Sequence, residues 1–544
     1  MRLKTSIFFT LGIFVCIACS SVNYFNQGDL KDDLYILADA HGDDNPVETR
    51  EIIESIIAVI PDRHEYSLIR ITNPLDGSLF PIDIASPTIE WEGANSGASL
   101  WLARIIFEGE EQAVNYLTSG TSWTPDLKTW ELIKKRSLDG RAVLSVFGID
   151  TEDSITVVGR GQVSFATSSD SVGAPILYLQ MPLPFAFANK HPDLFRWSLA
   201  DLSSCEKPPV VLENMPVCGN CHSFSRDGKV MGMDIDYRGD KGGYLLAHME
   251  KTMNVTPEDI ISWNDLKGSD NSTVTFGFFP KVSPDGKYVI ATVKDKSFFI
   301  RLNDPAFSQF FFLAAGVLSY YLPSDNTFHL LAGADDPAFV QTCPGWSHDG
   351  KYIAFSRTRV NNNLVELVVK KALRDVDHDT PLSVLNEKYQ IQYDLYRVPF
   401  NNGRGGVPEP ITGASKNGMS NYFPRYSPDG KWIVFCKSKN GLALQPDSRL
   451  YIIPAEGGTA RELKANRHVM NSWHSWSPNG QWLVFSSKEK GPFTVFYLCH
   501  IDEEGNDSVP VLLSRLQERN FTNIMPEFWN IKPEALKQIS IGKF

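Results

Sequence analysis

The chain has 544 residues and a formal charge of −12, with 52 Lys and Arg against 64 Asp and Glu. No long basic run occurs, which excludes the electrostatic footprint of a nucleic-acid partner. The length exceeds one ordinary core and predicts two or three domains, or one repeat array with an added module. An aromatic content of 12% with 39 Gly and 33 Pro favours short strands and tight turns over a helical bundle.

In residues 1–19, Arg2 and Lys4 precede an apolar run from Ile7 to Ala18. This reads as a secretory signal, too short and wrongly flanked to span a membrane. It ends in Cys16-Ile17-Ala18-Cys19, which resembles a bacterial lipobox, with Cys16 where Leu is usual. The resemblance implies a lipid on Cys19 that anchors the mature chain, each buried methylene contributing about 0.8 kcal/mol. Ser20 in place of Asp implies the outer membrane. An ordinary signal peptide with an incidental cysteine is the alternative.

Residues 20–65 are expected to form a tether with a short helix around Val47 to Val59. Residues 66–190 read as an all-β module, with strands expected at Thr88–Trp91, Leu100–Ile106, Ala142–Phe147 and Gly161–Phe165 and a helical stretch at Asp126–Lys134. Spaced short strands with turn signals are similar to a small immunoglobulin-like or fibronectin-III-like β-sandwich.

From residue 191 to 544 one phrase recurs: FFPKVSPDGKYVIATV at Phe278, TCPGWSHDGKYIAFSR at Thr342, YFPRYSPDGKWIVFCK at Tyr422 and SWHSWSPNGQWLVFSS at Ser472. A fifth copy is GNCHSFSRDGKVMGMDID, beginning at Gly219. Ser-Pro opens a turn, Asp or Asn with Gly closes it, and an alternating apolar strand follows. Further strand candidates bring each unit to about four strands, the content of one propeller blade. The phrases resemble the TolB-type β-propeller repeat, which implies six or seven blades. Phe195–Leu199 and Pro209–Leu212 are candidate strands of a blade without the phrase. The segment Lys370–Asp379 is expected to be a loop, and the tail after Leu516 either closes the ring or packs beneath it.

The fifth copy also contains Cys218-Gly-Asn-Cys221-His222, the spacing of c-type haem attachment. Chance alone would produce it roughly 0.002 times in a chain of this composition. Four residues before each anchor serine stand Cys221, Phe279, Cys343, Phe423 and Trp473, and three before it stand His222, Pro280, Pro344, Pro424 and His474. The register therefore accounts for Cys221 as a small apolar residue, and leaves Cys218 and the two histidines to be explained. A covalent haem would use Cys218 and Cys221 as thioethers and His222 as proximal ligand, with Met231, Met233, His248 or His474 as the sixth. The alternatives are a Cys218–Cys221 disulfide, a zinc site with only three local ligands, or inert packing. Asp234 and Asp236 read as a solvated or turn-bonded strand face in preference to a cation site.

No Gly-x-Ser-x-Gly or His-Glu-x-x-His occurs, so nothing supports a third reading, a polysaccharide-acting enzyme. The overall expectation is a lipid-anchored envelope propeller that binds a protein or glycan partner. An electron-transfer or redox-sensing haem module is the other reading.

Overall fold

The computed structural model describes residues 33–37, 46–60, 66–93, 97–138, 140–215, 219–266 and 274–542. Cys19 and Cys218 lie outside them. The chain divides into two compact units, one of residues up to Asn73 with Ser86–Ser164, the other of Pro74–Ala85 with Phe165 onward.

In the first unit all four expected strands fall on observed ones: Ile89–Glu92, Leu100–Phe107, Ala142–Asp150 and Thr156–Ser168. Leu100–Phe107 pairs antiparallel with Ala113–Thr118 and Ala142–Asp150 at the centre of one sheet. The flanking strands Leu34–Leu37 and Ser67–Leu68 add on in parallel. A smaller sheet holds Arg70–Asn73, Ile89–Glu92 and Ser122–Trp123. The helix Pro46–Ala58 lays Ile53 and Ile56 against Leu102, Leu117, Phe147 and Ile149. Parallel outer strands and a helix on the sheet differ from an antiparallel immunoglobulin-like sandwich. The second helix, Leu127–Arg136, begins where Asp126 accepts the Lys128 and Thr129 amides, an N-cap.

The second unit contains six four-stranded sheets among its described residues. Blade 2 runs from Gly219 to Ser262, blade 3 from Phe278 to Leu330, blade 4 from Phe339 to Pro410, blade 5 from Ser420 to Glu462 and blade 6 from Asn471 to Leu512. Blade 1 is assembled from both ends of the unit. Ile176–Pro182, Arg196–Ala200 and Val210–Leu212 supply three strands, and Phe521–Phe528 from the tail supplies the fourth. The propeller thus begins at Ile176, before the expected boundary at 191. Every residue of Ile176–Pro182 is buried, so this strand lacks the alternation that marks a half-exposed one.

The expected strand near Phe195–Leu199 is the middle strand of blade 1, and the tail closes the ring. The first strands of successive blades touch one another, and Phe521–Phe528 touches those of blades 2 and 6. The interval after the blade 4 phrase is not all loop: it carries helices at Asn362–Val369, Ala372–Asp375 and Leu382–Lys388.

The repeated phrase is a turn held by its own side chains. Ser225 Oγ donates to Asp227 Oδ1 at 2.7 Å and accepts the Val230 amide, while Asp227 Oδ1 accepts the Lys229 amide. Ser283/Asp285, Ser347/Asp349, Ser427/Asp429 and Ser477/Asn479 repeat this arrangement. The glycines that follow have φ between 70° and 78°, a region that excludes other residues at low cost.

Blade 1 has no such turn. Trp529 takes its place, fully buried, stacked on Phe224 at 4.2 Å and donating Nε1–H to the Gly228 carbonyl at 2.8 Å. Trp529→Ala is expected to cost about 3–5 kcal/mol, read as a lower urea midpoint; an unchanged midpoint would show that ring closure does not rest on this contact.

Candidate functional site

The first strands of the six blades line one cavity. In each, the pairing register slips once, by a bulge around the position four before the anchor serine in blades 2 to 6 and around Met525 in blade 1. Phe279, Cys343, Phe423, Trp473 and Met525 adopt left-handed φ of 55°, 53°, 54°, 41° and 55° there, and Cys221 is not among them. A bulge re-aims side chains that an even ladder would send elsewhere. Here it directs three consecutive positions toward the channel.

The first of these positions forms an apolar collar: Cys221, Phe279, Phe423, Trp473 and Met525 are half-buried and Cys343 is buried. Next come His222, Pro280, Pro344, Pro424, His474 and Pro526, all buried. The third position alternates around the ring, with Glu527, Lys281 and Arg425 on blades 1, 3 and 5 and Ser223, Gly345 and Ser475 on blades 2, 4 and 6. Six long side chains cannot share one narrow ring, and alternating large and small residues is the usual solution. A Cβ on Gly345 would collide with the Pro424 carbonyl oxygen.

Lys281 Nζ lies 2.9 Å from Glu527 Oε1, and Arg425 Nη2 donates to the same oxygen. Burial raises the Glu527 carboxyl, but the Arg425 and Lys281 charges more than reverse this and bring it to about 2. One acid facing two bases leaves a net charge of +1.

The two histidines have the same role in two blades. His222 Nε2 donates to the Leu177 carbonyl of the preceding blade at 3.1 Å, and His474 Nε2 to the Val434 carbonyl of the preceding blade at 3.0 Å. Each is followed by a serine whose Oγ accepts an amide of the next blade, Val282 and Phe528 respectively, at 3.1 Å. Burial lowers both imidazoles, His222 to about 4 and His474 to about 3. Both rings are therefore neutral at pH 7, tying three blades together at each site.

Among the described residues Cys221 has no disulfide partner. Burial, then the neighbouring Asp234 carboxyl, push it well above the usual thiol range, and burial pushes Asp234 up likewise. Asp236 pairs with Lys241. Among the described residues no group of three or more His, Cys, Asp or Glu could hold a metal.

A haem on this motif would need room and a free imidazole nitrogen. His222 Nδ1 is buried with no partner, but the adjoining cavity is about 50 Å³, space for a few waters. His474 Nδ1 faces Cys436 Sγ at 3.9 Å. As folded, the described residues do not fit a porphyrin.

The sixth copy of the channel motif, Met525-Pro526-Glu527-Phe528, is the one that reading by the serine anchor misses. Its apolar-Pro-x-aromatic spacing is the signal that could have found it. It completes a ring of six blades, with the turn at the same place in five of them, built on Asp in blades 2 to 5 and on Asn479 in blade 6. The fold of the second unit is a six-bladed β-propeller.

Several solved structures are similar to this propeller chain. TolB from Acinetobacter baumannii is 14% identical with a TM-score of 0.40, the match covering 73% of this chain and 80% of that one. A structure described as TolB from Agrobacterium tumefaciens is 15% identical with a TM-score of 0.34, covering 62% and 89%. The β-propeller domain of the trilobed protease from Pyrococcus furiosus is 13% identical with a TM-score of 0.23, covering 43% and 56%. No family model and no curated protein matches the chain. Among the described residues no helix of the propeller or the first unit is long and apolar enough to cross a membrane.

The buried imidazoles of this propeller set a pH dependence. Their folded pKa values lie below the unfolded value of 6.5, so the unfolded chain takes up protons first. Their contribution is complete above pH 6.5 and is lost as pH falls toward 4 and 3. His222→Gln with His474→Gln retains an N–H donor but cannot titrate. The double variant is expected to remove stability loss on the order of a few kcal/mol between pH 6.5 and 4, measured by urea unfolding across that range. Equal slopes in variant and parent would refute the assignment.

Proposed function

We propose that this chain is a lipid-anchored, non-enzymatic binding protein of the bacterial envelope, whose protein partner inserts a segment into the channel mouth. The observation that carries the reading is the collar of half-buried Phe279, Phe423, Trp473 and Met525 beside a half-buried, ion-paired cluster of net charge +1. Aromatic anchors around a charged centre suit a segment that pairs an apolar side chain with a carboxylate. The raised Cys221 thiol and the neutral, bonded histidines offer no activated nucleophile at this ring.

Phe423→Ala with Trp473→Ala is expected to remove at least tenfold of partner binding, comparing proteins retained from solubilised envelopes by parent and variant of matched thermal stability. An identical retained set would count against the channel mouth. The anchor is tested on the mature amino terminus: mass spectrometry is expected to find an acylated Cys19, and Cys19→Ser to release the protein from membranes.

Haem c on Cys218, Cys221 and His222 rests on the motif spacing. After co-expression with haem-attachment machinery and denaturation, the expected result is a colourless chain with no added mass at Cys218 and Cys221. A red, peroxidase-active band would replace the binding reading with an electron-transfer one.

A further inference from the structure

A second cavity, of about 390 Å³, lies where the turns of blades 2, 3 and 4 meet, within the size range of small-ligand sites. The repeat itself points to it. The turn needs its Ser, Asp or Asn, and Gly, while the residue after Ser is free to vary. It is Pro284, Pro428 and Pro478 in three blades, but Arg226 and His348 in the other two. These two departures meet: Arg226 Nη1 lies 3.0 Å from His348 Nε2 and donates to the His348 carbonyl at 3.4 Å. Both line the cavity, on either side of the blade 3 turn.

The rest of the wall divides into three kinds of group. Trp346 and Tyr288 pack edge-on against buried Phe400, with centroids 4.7 and 4.8 Å apart, and supply half-buried aromatic surface. Asn401, Asn402 and Arg404 come from a loop in which φ is 49° at Asn401, 53° at Asn402 and 85° at Gly403. Asn tolerates the left-handed region better than other non-glycine residues. This loop is held by the Asn401 amide on the Gly405 carbonyl at 2.9 Å. The third kind is acidic: Asp349 is paired with Lys351 at 2.8 Å and Asp285 with Lys287 at 3.5 Å.

After those pairings two guanidiniums remain. The Arg226 guanidinium bonds to His348 and that of Arg404 to the Asn401 carbonyl at 3.3 Å, and among the described residues neither meets a carboxylate. In a chain of charge −12 this is a local excess of positive charge. A phosphate dianion would face Asp285 and Asp349, whereas sugar hydroxyls can donate to them. Amides serve hydroxyls as donors or acceptors, and aromatic rings take the apolar face of a pyranose.

We propose that this cleft binds a carboxylate-bearing saccharide, Arg226 and Arg404 taking the carboxylate, Asn401 and Asn402 the hydroxyls, and Trp346 or Tyr288 the ring face. The site is separate from the channel mouth and adds a glycan contact to the binding reading, on which it rests only for its non-catalytic character.

The test is calorimetric titration of the full chain with trigalacturonate, maltotriose and inorganic phosphate. Trigalacturonate is expected to bind and to weaken with added salt; maltotriose and phosphate are expected to bind at least tenfold more weakly. Arg226→Gln and Arg404→Gln, both at exposed positions, are each expected to lose at least tenfold in affinity with unchanged thermal stability, while Phe423→Ala at the channel leaves it intact. Equal binding of maltotriose or phosphate, no binding of trigalacturonate, or full affinity in both arginine variants would overturn the assignment. Failure here leaves the channel reading to its own test, since the Phe423 and Trp473 variants report on that site alone.

Discussion

The second unit depends on the pairing of Phe521–Phe528 with Ile176–Pro182. Until that ladder forms, blade 1 has three strands and the inner strands of blades 2 and 6 lack a neighbour. The paired segments lie more than three hundred residues apart, so the entropy of loop closure must be met before this contact contributes. Trp529 and Asn530 extend the join, the first bonding the Gly228 carbonyl and the second the Arg226 carbonyl. The turn that blade 1 lacks is thus replaced by contacts with the turn of blade 2.

Closure and charge pairing are one event. Glu527 is the acid of the channel ring and sits on the closing strand, while Lys281 and Arg425 wait on blades 3 and 5. Without the tail, the two cations would have no acid between them. The histidines complement this from the other positions. Where three blades contribute charge, two of the intervening ones contribute a His-Ser pair that bonds the blade before and the blade after. The result is a channel wall bonded blade to blade, with Phe279, Phe423, Trp473 and Met525 half-buried along it.

Two of the residues in the cysteine motif have counterparts in the other blades. Cys221 occupies the collar position of its blade, and His222 is accounted for by its twin, His474. Both have replaced a Pro that offers no donor with a ring that donates to a neighbouring strand. The same substitution logic operates one turn away, where Arg226 and His348 stand in the place of Pro and meet across blade 3. Departures from the repeat, in both cases, mark where blades touch.

Local turn chemistry was legible from the residues alone. Ser, Asp and Gly make their hydrogen bonds within six positions, so five blades, their register and the collar residues Phe279, Cys343, Phe423 and Trp473 could be read without a structure. Four strands of the first unit were legible for the same reason, through short-range alternation, whereas its parallel outer strands were not, since strand direction is settled by partners far along the chain. Only the tertiary structure decided the number of blades, the sixth inner strand, the Lys281–Glu527–Arg425 cluster and the Arg226–His348 contact. Each joins residues from different blades, and no spacing along one chain encodes which side chains a closed ring brings face to face.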